Sequence, residues 1–209
     1  MKLSVLKTEN IVNEIFAVYE KYGNRNSSGE LASHLEQSAY AASLAEEEGF
    51  EDEVILAAFF HDIGYASPND KDVNSYNGVN LVDTERSGAN YLRELGFSER
   101  LATMVESDVR AKRFLASKYP EYYDQLSDEG KKLLEYQGGR MSKEEIAKFE
   151  LDPDADVFVR LRYWNDKARK IKRYTRNMAH YKLLAVSHLN KIIDHYLPGF
   201  LMPKTIPQR

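Results

Sequence analysis

A short, strongly apolar segment is the feature of this sequence that most constrains its fold. The stretch VILAAFF at Val54–Phe60 is apolar at every position, and acidic residues precede it, as is favourable at a helix N-terminus. A helix without a polar face must be covered by other elements on all sides. His61 and Asp62 follow directly, so this helix carries two polar side chains at its end. We therefore expect a buried central helix with a candidate site where it ends.

Most of the remaining chain also has helical periodicity. Apolar residues recur at a spacing of three and four, and no segment shows a convincing strand-like alternation. The predicted helices lie around 11–19 and at about 28–48, 51–62, 84–95, 98–118, 157–171 and 178–196. The segment 66–83 is predicted to be a loop. The tyrosine-rich segment 119–150 is predicted to be a lid or irregular insertion with short helical pieces around QGGR at 137–140. The expected fold class is all-α.

Chain length and composition restrict the domain organisation and the partners. The 209 residues suffice for a single domain over 1–209, with a core at about 28–173 and the C-terminal helix 178–196 packed on it. A net charge of -4 argues against nucleic-acid binding, and no segment approaches the roughly 20 apolar residues of a membrane span. Without cysteine, any metal ligand must be nitrogen or oxygen, and a cytoplasmic location is expected.

The dipeptide His61-Asp62 allows two interpretations. An imidazole beside a carboxylate can ligate metal ions, and the aspartate can bridge two of them. Alternatively, the histidine caps the carbonyl groups at the helix end and the aspartate lies in the following turn. The residue types alone leave both interpretations open.

Longer stretches of the sequence resemble a known family. The segment HLEQSAYAASLAEEEGFEDEVILAAFFHDIGY, together with ERSGANYLRELGFSER and RLRYWNDKAR, is similar to the HD-domain superfamily. The similarity covers roughly 28–173 and is closer to the PhnZ-like, phosphonate-degrading HD oxygenases. This resemblance implies an all-α fold around a mixed-valent di-iron centre, which activates dioxygen to cleave the carbon–phosphorus bond of a 1-hydroxyphosphonate.

The resemblance also assigns metal-ligand positions, and most of them carry altered residues. His61 and Asp62 match the family pattern. The other positions differ, with three histidines and one aspartate of the family replaced by Gln37, Thr84, Asp108 and Asn165. Neutral oxygen donors are weak ligands for iron at these valences. We expect His61, Asp62 and Asp108 to hold at most one divalent cation, such as Fe, Mn or Mg, and no redox pair.

Two acidic or imidazole side chains near these positions have competing interpretations. His34 lies three residues before Gln37 and is displaced by about 4.5 Å along the helix axis, so we expect it to pack at the helix surface. Asp108 falls on an apolar helix face and needs a partner. That partner is a metal, a basic group, or Lys112 one turn later.

The resemblance further implies a pocket for an anionic ligand. Lys112 and Arg162 match basic positions that line the phosphonate pocket of the family, and Glu30 matches the carboxylate that recognises a substrate amine. Tyr65 stands where the family has a second histidine. The alternatives are that the two basic residues form solvated surface ion pairs and that Glu30 favours a helix N-terminus.

The function expected from the sequence is that of a degenerate HD-domain protein without di-iron catalysis. It would bind a small phosphonate- or phosphate-like anion or a protein partner. The alternatives are a single-metal HD phosphohydrolase and an active HD-type oxygenase with unusual ligands, so whether the chain is an enzyme is left open.

Overall fold

The computed structural model describes residues 2–23, 32–66, 75–76, 79–80, 84–175 and 177–196, and it is all-α. Two-residue strands, β1 (Ser75–Tyr76) and β2 (Val79–Asn80), form an antiparallel pair with Ser75 opposite Asn80. The helices are α1 (Lys2–Gly23), α2 (His34–Glu47), α3 (Asp52–Phe60), a 3-10 helix (Ile63–Ala66), α4 (Thr84–Glu94), α5 (Glu99–Glu106), α6 (Asp108–Lys118), α7 (Pro120–Asp124), α8 (Asp128–Tyr136), α9 (Lys143–Glu150), α10 (Ala155–Ala168) and α11 (Met178–Tyr196). Within these ranges, no helix combines the length and apolar character that a bilayer span requires.

Helix α3 lies at the centre of the core, as its apolar sequence predicts. Every residue of Val54–Phe60 is buried, and the helix contacts α2, α5, α10 and α11. Phe59 stacks on Phe16 of α1 and on Tyr181 of α11, with ring centroids 5.4 and 4.6 Å apart. The N-terminal and C-terminal helices therefore meet on the same central element, whose end leads into the candidate site.

Helix α2 begins later than the sequence analysis predicts. Residue 28 lies outside the described residues, and Ser33 is the N-cap of the helix. The Ser33 hydroxyl accepts from the Glu36 backbone N–H, and the Glu36 carboxylate accepts from the Ser33 N–H at 2.9 Å. This reciprocal capping satisfies two donors that a helix start leaves unpaired, and it fixes the helix start at His34.

The predicted helix over 98–118 is two helices in the structure. Ser107 separates α5 from α6, and its buried hydroxyl donates to the Met104 carbonyl at 2.6 Å. A serine hydroxyl that bonds to the backbone competes with the regular helix ladder. Asp108 consequently stands in the first turn of α6 instead of the middle of a long helix.

The segment 119–150 contains short helices, as predicted, but most of it is helical rather than irregular. The helices α7, α8 and α9 occupy most of it, and serine N-caps at Ser127 and Ser142 start α8 and α9. The apolar pattern of these helices is short because α7 buries no residue, and α8 and α9 bury one each, Leu134 and Phe149. Short helices of this kind give a weak periodic signal.

Two glycines bring α4 against the 3-10 helix. A Cβ atom on Gly64 would lie 1.8 Å from the Thr84 carbonyl oxygen, and one on Gly88 would lie 2.9 Å from the Gly64 nitrogen. Only glycine permits two backbones to approach this closely. The contact places the start of α4, Thr84 and Glu85, beside the turn that carries His61 and Asp62.

Candidate functional site

His61 is the C-cap residue of α3, and its two ring nitrogens differ in their contacts. Nδ1 donates to the Ala58 carbonyl at 2.8 Å, which leaves Nε2 with a free lone pair. Nε2 is buried and has no hydrogen-bond partner among the described residues. Burial lowers the pKa of His61, but the Asp62 carboxylate outweighs it and the net pKa is raised. The ring can therefore act as a nitrogen ligand or take up a proton.

Asp62 is buried and is held by a histidine that the sequence analysis placed elsewhere. Its Oδ2 lies 2.9 Å from His34 Nδ1 and 3.5 Å from His61 Nε2. Burial opposes its charge, but the two imidazoles hold the pKa of Asp62 well below its usual range. The expectation that His34 packs at the helix surface is wrong, since His34 is buried and stacks on Tyr65 with ring centroids 4.7 Å apart. Its position on the α2 face one turn before Gln37 was the available signal.

Gln37 is also buried, but its amide faces the backbone. Its Nε2 donates to the Ala32 carbonyl at 3.1 Å, near the start of the same helix. An amide anchored in this way supports the helix start. The donor nitrogen of Gln37 is thus committed to a carbonyl group.

Both carboxylate oxygens of Asp108 accept hydrogen bonds from α10. Oδ2 lies 2.6 Å from Arg162 Nη1, and Oδ1 accepts from Asn165 Nδ2 at 3.1 Å. The alternative pairing with Lys112 is therefore wrong: the partner is a basic group 54 residues away. Burial raises the pKa of Asp108, but the guanidinium groups of Arg162 and Arg169 lower it further, so the carboxylate is charged at neutral pH.

Arg162 is buried, and its guanidinium bonds to two different carboxylates. Its Nη1 bonds to Asp108, and its Nη2 and Nε bond to Asp166. Nε also donates to the Tyr122 hydroxyl at 3.0 Å, and that hydroxyl donates to Asp166 at 2.9 Å. The alternative of a solvated surface ion pair is wrong for this residue. One edge of the guanidinium is fixed by Asp166 and Tyr122, and the other faces Asp108.

Lys112 is a buried cation with neutral partners. It is 4% exposed, and its Nζ donates to the Gly130 carbonyl and to Gln137 Oε1, both at 3.3 Å. In the part of the chain that the structure describes, no carboxylate lies within ion-pair distance of Nζ. Burial, followed by the nearby Arg162 cation, lowers the pKa of Lys112 to about 8. The surface ion-pair alternative is wrong here as well.

Arg169 is a further cation of the site, and the sequence analysis missed it. Its Nε lies 3.4 Å from Asn165 Oδ1, and the guanidinium is within electrostatic range of Asp62 and Asp108. Desolvation and the Arg162 cation lower the pKa of Arg169, but these two carboxylates raise it above its ordinary value. Its position one turn after Asn165 on α10 was the available signal.

The start of α4 contributes another carboxylate that the sequence analysis missed. Thr84 donates its hydroxyl proton to Glu85 Oε2 at 3.1 Å, so this hydroxyl pairs with its neighbour. Burial, and then the charge of Asp108, raise the pKa of Glu85 to about 7. Tyr65 lies nearby and is 47% exposed, and partial desolvation of its hydroxyl together with the charge of Asp62 raises its pKa to about 12. Glu30, the remaining predicted ligand-binding residue, lies outside the described residues.

Among the described residues, the positions that the resemblance assigns to metal ligands do not form the donor set of a di-iron centre. Asp108 and Asn165, two positions that the resemblance assigns to metal ligands, hydrogen-bond to each other. Arg162 occupies the other oxygen of Asp108. Among the described residues, no three His, Asp or Glu side chains are arranged to hold a metal ion. In the part of the chain that the structure describes, His61 Nε2 with Asp62 beside it is a feature that suits a single cation.

Comparisons with known proteins place this geometry in context. The family described as HD domain matches residues 31–150. The chain is 35% identical over 180 residues to uncharacterized protein L432 of Acanthamoeba polyphaga mimivirus, which covers 86% of this chain and 82% of the relative. It is 29% identical over 184 residues to [1-hydroxy-2-(trimethylamino)ethyl]phosphonate dioxygenase (glycine-betaine-forming) of Leisingera caerulea, covering 86% and 90%. It is 32% identical over 158 residues to hydroxymethylphosphonate dioxygenase of Gimesia maris, covering 76% and 78%.

Proposed function

The chain belongs to the HD-domain family, and from that premise we propose that it binds a small phosphonate- or phosphate-like anion without di-iron catalysis. The observation that carries the proposal is Lys112, a buried ammonium group that contacts only neutral acceptors among the described residues. A buried charge without a counter-ion is costly, and a bound anion would offset that cost. Relatives that are named as phosphonate dioxygenases agree with this ligand class.

Two further cations support anion binding at this place. Arg162 and Arg169 are both close enough to Lys112 to lower its pKa. Within the described ranges, the guanidinium of Arg169 makes one long hydrogen bond, to Asn165, which leaves both terminal nitrogens to bind a ligand. A guanidinium presents parallel donors that match the oxygens of a tetrahedral anion. The combination of Lys112 and Arg169 suits a doubly charged oxyanion.

The residue types at the expected ligand positions do not favour a di-iron centre. Iron pairs need imidazole and carboxylate ligands, whereas Gln37, Thr84 and Asn165 offer neutral oxygens. Asp108 has both of its oxygens committed to Asn165 and Arg162. A metal at this position would have to displace a guanidinium that already neutralises the carboxylate.

Iron content tests this part of the proposal. Protein loaded with Fe²⁺ under reducing conditions and then desalted should retain less than about one iron per chain, because the donor set is incomplete. Elemental analysis by mass spectrometry measures this ratio. A variant with histidine at 37, 84 and 108 and aspartate at 165 is the matched control and should retain more iron. Two tightly held irons per wild-type chain would refute the proposal.

Anion binding is tested with sulfate and methylphosphonate by isothermal titration calorimetry. Lys112→Met should weaken sulfate binding about tenfold or more, because one charge-assisted hydrogen bond is lost. Sulfate keeps its charge between pH 6 and 9, so its affinity should fall as the pH rises through the pKa of Lys112, about 8. Lys118→Met removes an exposed lysine of the same helix, paired with Glu150, and should leave the affinity unchanged.

The result that contradicts the proposal is equally specific. If neither sulfate nor methylphosphonate binds at millimolar concentration, the site does not serve anions of this class. Equal losses in Lys112→Met and Lys118→Met would show that only the overall charge matters. A protein partner was also expected from the sequence, but no observation on the described residues favours one.

A second candidate function is a single-metal phosphohydrolase. The observation in its favour is the buried His61 Nε2. This nitrogen has no hydrogen-bond partner among the described residues, and it lies beside Asp62. His61 and Asp62 would hold the cation, and Asp108 would have to leave Arg162 to join them. Manganese-dependent release of p-nitrophenol from its phosphate ester, abolished by Asp62→Ala, would support this candidate. Activity that survives Asp62→Ala would count against it.

A further inference from the structure

We infer that Asp108 is an internal anion that competes with the external ligand for Arg162 and so lowers the affinity of the site. The inference rests on the proposed anion-binding function and adds to it a carboxylate of the chain itself that weakens ligand binding. Its basis is the contact between Asp108 Oδ2 and Arg162 Nη1 at 2.6 Å, with side chains 13% and 6% exposed. In this arrangement, a carboxylate of the chain itself occupies the donor that an oxyanion would use.

Arg162 does not need Asp108 to hold its orientation. Asp166 binds Nε and Nη2 of the guanidinium, and the Tyr122 hydroxyl bonds to both Arg162 and Asp166. These contacts fix one edge of the planar group and leave Nη1 directed at Asp108. If the charge at position 108 is removed, Nη1 stays in place as a preoriented donor. Preorganised donors bind anions better than mobile ones because less ordering is required.

The negative charge of Asp108 has a second effect on an incoming anion. Asp108 lies within electrostatic range of Lys112 and Arg169, the two cations assigned above to the ligand. It attracts them and would repel a bound oxyanion at the same place. Neutralising Asp108 therefore both frees a donor and removes a like-charge repulsion. Both effects change the affinity in the same direction.

The experiment compares sulfate and methylphosphonate affinities of the full chain by calorimetry. Asp108→Asn keeps the size of the side chain and its bonding capacity toward Asn165, and it should bind sulfate at least about tenfold more tightly. Asp152→Asn is the matched control, since Asp152 pairs with Arg110 of the same helix in a more exposed contact, and it should not change the affinity. Thermal melting verifies that each variant is folded, and Asp108→Ser serves as a second variant.

A double variant identifies the donor. The Arg162→Lys substitution keeps the positive charge but loses the parallel N–H donors of the guanidinium. In this background, the gain in sulfate affinity from Asp108→Asn should fall below about threefold. A gain of the same size in both backgrounds would overturn the role of Arg162. Unchanged or weaker binding in Asp108→Asn and Asp108→Ser, with wild-type binding that depends on Lys112, would overturn the inference alone. No binding by any variant would instead overturn the proposed function.

Discussion

Gly64→Ala is expected to destabilise the fold by about 3 kcal/mol or more, or to prevent folding altogether. The added Cβ would lie 1.8 Å from the Thr84 carbonyl oxygen and 2.6 Å from its carbonyl carbon. These are backbone atoms, so no side-chain rotation relieves the clash. Either α4 moves away or the turn that carries His61 and Asp62 is distorted. Urea unfolding followed by circular dichroism measures the loss of stability.

Gly130→Ala is the matched control for this prediction. Gly130 lies in the first turn of α8, and the nearest atom to its added Cβ is the Ser127 hydroxyl oxygen at 3.3 Å. A serine side chain can shift, and alanine favours a helix more than glycine does, so the change should stay within about 1 kcal/mol. Equal stability of the two variants would mean that α4 does not approach the 3-10 helix as closely as described.

Arg162→Met should cost about 3–5 kcal/mol of unfolding free energy at neutral pH, because it leaves two carboxylates without their cation. Both Asp108 and Asp166 bond to this guanidinium, and Asp108 is largely buried. The pKa of Asp108 is lowered in the folded state, chiefly because Arg162 outweighs burial. The stabilisation by this pair is therefore present above the ordinary aspartate pKa and is lost as the pH falls through the lowered value. The difference between wild type and variant should shrink below about pH 4.

Arg160→Met tests whether loss of any arginine from α10 has this effect. Arg160 lies two residues earlier, and its 3.4 Å contact with Glu48 is on the surface. Exposed ion pairs contribute little, so this variant should lose less than about 1 kcal/mol. Urea titrations of wild type and both variants at pH 7 and at about pH 3 give the comparison. A cost for Arg162→Met no larger than that for Arg160→Met would show that the buried pairs do not stabilise the fold.

The features of the fold that the sequence predicts are those with strong apolar patterns. The all-α class follows from the helical periodicity of most segments, and the buried helix α3 follows from the continuous apolar stretch at Val54–Phe60. The break at Ser107 was missed because serine is tolerated inside helices as well as at their ends. The extent of the helices α7, α8 and α9 was underestimated because each buries too few residues for a clear period.

How well the contacts of the site can be predicted depends on how many residues separate the two contacting side chains in the sequence. The resemblance located His61, Asp62, Lys112 and Arg162, and the structure brings these residues into one region. The partner of Asp108 was not predictable from local spacing, since Lys112 lies one turn away and Arg162 lies on another helix. His34 was missed for a related reason, because its partner Asp62 is 28 residues further along the chain.

The contact between Gly64 and the start of α4 has a consequence for how such a chain can diverge. It is made by backbone atoms of Gly64, Thr84 and Gly88, so its geometry is independent of the side chain present at position 84. The backbone framework of the site therefore does not depend on which side chains face its interior. Over evolutionary time, a lineage can exchange histidines for hydroxyl, amide or carboxylate groups one substitution at a time while the same helices stay in register.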